Sequence, residues 1–377
     1  MPEYDLCFSS ASTIETGSYK LVELTPDLAK LIEDGINNDL AINLTIKGNP
    51  QEDAVLCTKD KTYSMRSVNL SNTVVVATAV PDIDACNNDF SNDAVVIRDQ
   101  VKEIIELAPA VPKLHKLMSL IRERVYDEGQ EDDDDDPSIV RFTLDTARRE
   151  IQASEVELER GLKDRRILVL NNELRPIAVS YLIHLLELIL AVLVAASEQH
   201  ASASVESITS QLEEDHEVPR VVSTQVMGWF GDIVDGKWKM DVDSVVKEIG
   251  LGILRNHRHD PIEKGLLMTK WKSLVGDTFE SSVSLPLLAG NYIEVETLGS
   301  TNTTLKYFPA SSLPIDPAGR FAELFAMRSK WKGEEISPFL ADIAVNNKER
   351  DKLLLKYCRA VTDSHGIRYT ARAQYNG

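Results

Sequence analysis

Seven histidines and four cysteines stand in the 377 residues, and their spacing limits the chemistry they could do. His257, Arg258, His259 and Asp260 form a group that could in principle ligate a metal. No third ligand follows at a usual interval, and HxH pairs in polar turns are mostly solvated, so no metal is expected there. Cys7, Cys57, Cys86 and Cys358 are scattered without any CxxC pair, which argues against a zinc site or a disulfide framework and for free thiols. Cys358, next to Leu353, Leu354 and Leu355, reads as packing and not as a nucleophile. There is no GxxxxGK[ST] loop to cradle a triphosphate, no GxSxG elbow and no HExxH helix. The sequence offers no active site and calls for no cofactor, so the chain is expected not to be an enzyme.

Basic positions are the better candidates. Lys356, Arg359, Arg368 and Arg372 fall on the last expected helix and strand, where they could meet phosphate; a face serving solubility, or protein docking, is the alternative. Arg148, Arg149, Lys163, Arg165 and Arg166 form a weaker group. The formal net charge of −19 excludes a protein that coats nucleic acid over its whole surface. That charge is uneven: residues 1–137 carry 12 basic and 27 acidic side chains, whereas residues 316–377 carry 11 and 8. A mildly basic end on an acidic body can still bind phosphate locally.

Several elements must position these groups. Residues 17–80 read as short strands: Tyr19 to Leu24, Leu44 to Ile46, a hairpin of Ala54–Thr58 and Thr62–Arg66 around Lys59-Asp60-Lys61, and the β-branched run Thr73–Ala77. Such a sheet, with little helix to cover it, needs a partner for one face unless it closes into a barrel of its own. From 97 to 125 the apolar spacing predicts helix, and Asp132 to Asp136 with Pro137 predict a linker. Beyond it one motif of two helices and a hairpin is expected three times. The first copy opens on the capping box Ser154/Glu157 and returns through the turn Asn171-Asn172; the second holds a helix from Pro261 and strands near 291–297 and 303–308; the third starts at Asp316-Pro317. Helices followed by a hairpin describe a winged helix.

The expected fold class is therefore α+β. A small β-barrel-like domain, 1–95, is followed by a helical segment and acidic linker, 96–137, and by winged helices at 138–200, 201–315 and 316–377. The apolar run Leu188 to Ala196 is too short to cross a bilayer, and MPEYDLCFSS has no leader pattern, so cytosol or nucleus is expected.

Three stretches resemble one family. Ala54–Arg66 with Ser71-Asn72-Thr73, then Ile151-Gln152-Ala153-Ser154-Glu155, then Arg320–Phe325 with Lys330-Trp331, Ile336–Phe339, Asp342 and Leu355-Lys356-Tyr357 are similar to the sister chromatid cohesion subunit called Dcc (defective in chromosome cohesion). The resemblance implies a non-catalytic adaptor of an alternative replication factor C, which loads the sliding clamp together with the replication factor C small subunits. It implies that the N-terminal β domain forms a composite barrel with the C-terminus of the large subunit and a small companion subunit. It also implies that the winged helices dock DNA polymerase epsilon and touch DNA, in the nucleus, for cohesion and the replication checkpoint. On that basis Val55, Leu56, Tyr63, Met65, Val74 and Val76 are the candidate partner-binding residues. A winged-helix transcription regulator is the alternative, disfavoured by the acidic body.

Overall fold

A computed structural model describes residues 5–8, 19–79, 94–129, 141–296, 303–363 and 366–372. The acidic run at 131–136 lies outside them. The chain divides into one unit of residues 1–112 with 150–157 and a second of 113–149 with 158–377.

The first unit is built on a six-stranded sheet. Its spine is a hairpin of β5 (Thr62–Ala79) and β6 (Ala94–Pro109), 18 and 16 residues long. On β5 follow β4 (Val55–Cys57) and β3 (Thr45–Lys47); on β6, in parallel, β1 (Asp5–Phe8) and β2 (Leu21–Glu23). One helix, α1 (Pro26–Asn37), covers part of the sheet and seats Leu28 against Leu56, Tyr63 and Leu107. Among the described residues the sheet is open and does not close into a barrel.

The helix expected at 97–125 exists only as α2 (His115–Ile121); residues 97–109 belong to strand β6. Val101, Ile104 and Ile105 fit helical spacing, but this β-branched stretch meets thirteen cross-strand partners on β5, from Tyr63↔Pro109 to Ala79↔Val95. Pairing of that length overrides a three-residue spacing. A boundary at 95 falls inside β6, and two strands are far longer than the short ones expected.

The segment 150–157 is a buried strap of the first unit, with Ile151, Gln152, Ala153 and Ser154 at 1 % exposure or less. Gln152 Nε2 donates to the Asp53 carbonyl (2.7 Å), Lys47 Nζ to that of Ala153 (2.6 Å), and Ser154 N–H to Thr62 Oγ1 (3.0 Å). The expected capping box is present: Glu157 N–H donates to Ser154 Oγ (3.3 Å), and Ser154 N–H also to Glu157 Oε2 (3.1 Å).

Among the described residues the second unit repeats one topology four times: helix, short strand, two helices, hairpin. The first repeat has α2, the bridge of Thr143 to Glu173, α3 (Leu144–Glu150), α4 (Glu155–Asp164) and the hairpin β7 (Ile167–Leu170) and β8 (Glu173–Pro176). Asn171 and Asn172 turn that hairpin with φ 48° and 68°, the left-handed pair a two-residue turn requires. In the second repeat come α5 (Val179–Ala195), β9 (Ala203–Ser204), α6 (Val205–His216), α7 (Arg220–Trp229), β10 (Gly231–Val234) and β11 (Lys237–Met240). The third consists of α8 (Val242–Arg255), β12 (Ile262–Glu263), α9 (Lys264–Val275), a 3₁₀ turn at Leu285–Leu288, β13 (Tyr292–Glu296) and β14 (Thr303–Tyr307). The fourth has α10 (Pro317–Met327), β15 (Trp331–Lys332), α11 (Gly333–Ile336), α12 (Asn347–Tyr357), β16 (Cys358–Asp363) and β17 (Gly366–Ala371). The last three repeats share one sheet order, the short strand pairing with the second strand of the hairpin.

Residues 201–315 thus hold two hairpins where one copy was expected. The signal for the extra one is Asp235-Gly236, with φ 50° and 72°, the strongest short hairpin cue in a sequence. The helix expected from Pro261 begins at Lys264, after β12.

The apolar run at 188–196 puts Ile189, Leu190, Val192 and Leu193 into the core, while Val194 is 66 % exposed. Eight residues of α5, from Tyr181 to Leu193, are buried, and no helix among the described residues is long and apolar enough to cross a membrane. One cluster runs from Tyr126 to Leu305 around Trp238 and Trp271, and another holds the fourth repeat around Phe321, Trp331 and Phe339.

Candidate nucleic-acid and partner surfaces

The fourth repeat positions the basic residues. Helix α12 is N-capped by Asn346, whose side chain accepts from Glu349 N–H (3.0 Å), and it is anchored by buried Leu354 and Tyr357. Lys356 sits at its exposed end, Nζ 5.1 Å from the centre of the Tyr357 ring. The chain passes at once into β16, so Cys358 begins a strand. It is buried in the core, and burial pushes its thiol up to about 12, fitting packing and not nucleophilic attack.

Pairing then decides which cations share a face. Val361 stands opposite Arg368, Arg359 opposite Thr370, and Lys332 of β15 opposite Arg368. Directly opposed residues project from the same side, as do residues two apart along a strand. Arg359, Arg368 and Lys332 therefore lie on one side of the sheet, and Trp331, Tyr369 and Cys358 on the other. Arg372, just past β17, donates through Nε to the Cys358 carbonyl (3.2 Å). Lys332 was not foreseen; its place depends on a two-residue strand that sequence cannot pair.

The third helical position of the repeats differs in charge. In α4 acidic residues outnumber basic ones. Arg220 of α7 is tied to Glu206 (2.7 Å) and Glu213 (2.5 Å), and Gln225 exchanges hydrogen bonds with the Val169 backbone of β7 (2.9 and 3.0 Å). The 3₁₀ turn Leu285–Leu288 has no charge. At this position only α12 presents several cations, Lys348, Arg350, Lys352 and Lys356, the middle two paired with Asp351 and Glu349.

The six apolar candidates in the first unit separate into two groups. Val55, Leu56 and Tyr63 are buried in that unit's own interior, and Met65 packs partly against it. Val74 is 40 % exposed, and Val76 is half-buried. Both sit on the distal part of β5, which from Arg66 onward pairs only with β6 among the described residues. Larger exposed apolar groups were missed by sequence reasoning: Ile36 at 72 %, Leu40 at 65 % and Ile46 at 63 %. Asp27 beside this core accepts from Lys61 Nζ (2.8 Å), which holds its carboxyl at about 2. His257 Nδ1 lies 2.9 Å from the Asp260 carbonyl oxygen, and among the described residues no three metal-ligating side chains converge.

Comparison with known proteins places this chain. The family model described as Sister chromatid cohesion protein Dcc1 matches residues 19–340. The chain belongs to that family. It is 25 % identical to the sister chromatid cohesion protein of Mus musculus, covering 94 % of this chain and 88 % of that one. To the protein of that name in Saccharomyces cerevisiae it is 23 % identical, covering 95 % and 94 %, and to the probable one of Dictyostelium discoideum 24 %, covering 92 % of each.

Proposed function

We propose that this chain is a non-catalytic adaptor of an alternative replication factor C clamp loader, acting in sister chromatid cohesion and in the replication checkpoint in the nucleus. The observation that carries it is the open sheet of the first unit, with the distal edge of β5 unpaired among the described residues and apolar side chains exposed around it. Strand addition by the C-terminus of the large subunit and by the small companion would satisfy that edge and complete a composite barrel. The repeats would act as winged helices, a reading supported by their helix, strand, helix, helix, hairpin order and by the sheet order that the last three share, and they would dock DNA polymerase epsilon. The sheet face of Arg359, Arg368 and Lys332, flanked by Lys356 and Arg372, would contact DNA phosphates weakly and without reading sequence. Such an arrangement tethers loader to polymerase and raises the effective concentration of one beside the other. The sliding clamp is reached indirectly.

The test is co-purification of the tagged chain with the replication factor C small subunits and the polymerase, together with DNA binding. Lys356, Arg359 and Arg372 changed together to alanine should weaken duplex binding at least tenfold and leave Tm and subunit recovery unchanged. Absence of the clamp-loader subunits from the purified material would overturn the adaptor role. An unchanged DNA affinity would remove the phosphate surface.

A further inference from the structure

Within the second unit the repeats line a cleft of about 1300 Å³. Its walls include Lys163 and Arg165 of the first repeat, Lys239 and Met240 of the second, and Lys247 and Leu251 of the third. That volume exceeds what a small-molecule pocket usually offers, roughly 300–1,000 Å³, and suits a length of polypeptide.

Most arginines lining the cleft are committed. Arg166 and Arg255 both pair with Glu248 (3.3 and 2.9 Å), and Arg320 pairs with Asp342. Arg165 is not. Its guanidinium has five donors, and among the described residues its one hydrogen bond runs from Nη1 to the Gly161 carbonyl at 3.4 Å, the outer limit of such a contact. Burial works against its charge, only in part offset by Asp164 and Asp342. Lys163, Lys239 and Lys247 form no ion pair among the described residues. The same walls expose Met118, Val179 and Ile315 at 39, 46 and 48 %.

Two features choose the occupant. Asp164, Asp232 and Asp243 also line the cleft, so a polyanion such as nucleic acid would meet repulsion there. A protein segment brings single carboxylates for the unpaired cations and apolar side chains for the exposed walls. We propose that this cleft docks a peptide segment of a partner protein, with an aspartate or glutamate seated on Arg165 and apolar residues flanking it. A planar guanidinium takes a carboxylate through two parallel hydrogen bonds, which fixes position as well as strength.

The experiment selects from a random twelve-residue peptide library displayed on phage, against the purified full chain. Enriched peptides are then made with a fluorescein label and titrated by anisotropy. Expected are peptides with an acidic residue among apolar ones, binding weakened roughly thirtyfold or more by Arg165→Ala. Lys163→Glu with Lys247→Glu should weaken it as well. The variant lacking Lys356, Arg359 and Arg372 should bind these peptides as the parent does, which separates this cleft from the phosphate surface. Because Arg165 contributes one long hydrogen bond to the fold, Arg165→Ala should melt with the parent; should it not fold, Arg165→Gln carries the same test. No enrichment, enriched peptides without carboxylates, equal binding to Arg165→Ala, or displacement by a 20-base-pair duplex would each overturn the proposal.

Discussion

Arg320 is a charged residue with no exposure, and its partners explain how the fourth repeat tolerates it. The guanidinium donates to the carbonyls of Pro314 (2.7 Å) and Phe339 (2.8 Å) and forms a two-point pair with the Asp342 carboxylate. The side chain thus ties the start of α10 to the turn after Phe339. Replacing it by methionine keeps the volume but orphans these carbonyls, each costing about 1–3 kcal/mol. Arg320→Met is expected to lose about 3 kcal/mol, seen as a Tm lower by roughly 6–12 °C in calorimetry. A melting temperature within about 1–2 °C of the parent's would show those carbonyls to be satisfied otherwise. The sequence carried this residue only as part of a familial stretch; nothing local to Arg-Phe-Ala-Glu-Leu-Phe reveals a buried charge whose acceptors lie up to 22 residues away.

At the scale of elements, hairpins with a strong local turn were legible and long-range pairing was not. Ile167–Leu170, Asn171-Asn172 and the return strand were readable because the left-handed pair of asparagines fixes the register. The β6 strand was misread because its identity comes from β5, earlier in the chain, and not from its own spacing. The same ladder gives a test. Val74 and Val75, 40 and 45 % exposed, lie on the distal part of β5, beyond its pairing with β4. Lysine at both should leave stability within about 0.5 kcal/mol, since the sites are exposed. It should at the same time oppose strand addition, because a charged edge resists pairing. Recovery of the clamp-loader subunits should fall at least tenfold with unchanged Tm; full recovery would move the partner contact to Ile36, Leu40 and Ile46.

Over the whole molecule, fold class was legible and repeat number was not. Each repeat is one cycle of the same elements, yet the one missed, the second, has hairpin strands of only four residues each, β10 and β11, which give little alternation to read beside its helices. The proposed phosphate face was legible in part: Lys356, Arg359, Arg368 and Arg372 are candidates from charge alone, while Lys332 joins Arg359 and Arg368 on one sheet face only through pairing. The global charge sets a further expectation. A −19 chain with four or five clustered cations should bind duplex DNA with a log–log salt slope of about −3.6 to −4.5, following roughly 0.9 per neutralised phosphate. A slope steeper than about −7 in a titration from roughly 50 to 200 mM salt would reveal a second cationic surface.

The strap at 150–157 has a practical effect on how this polypeptide can be dissected. The chain leaves the first unit after Pro112, returns to it at Glu150 and departs again after Glu157. Cutting at residue 112 would remove the glutamine amide that holds the Asp53 carbonyl and the Ser154 and Glu157 groups that hold the Thr62 hydroxyl. An N-terminal fragment that aggregates for this reason would say nothing about missing subunits. To be informative, such a fragment must run past Glu157 or have the strap grafted back.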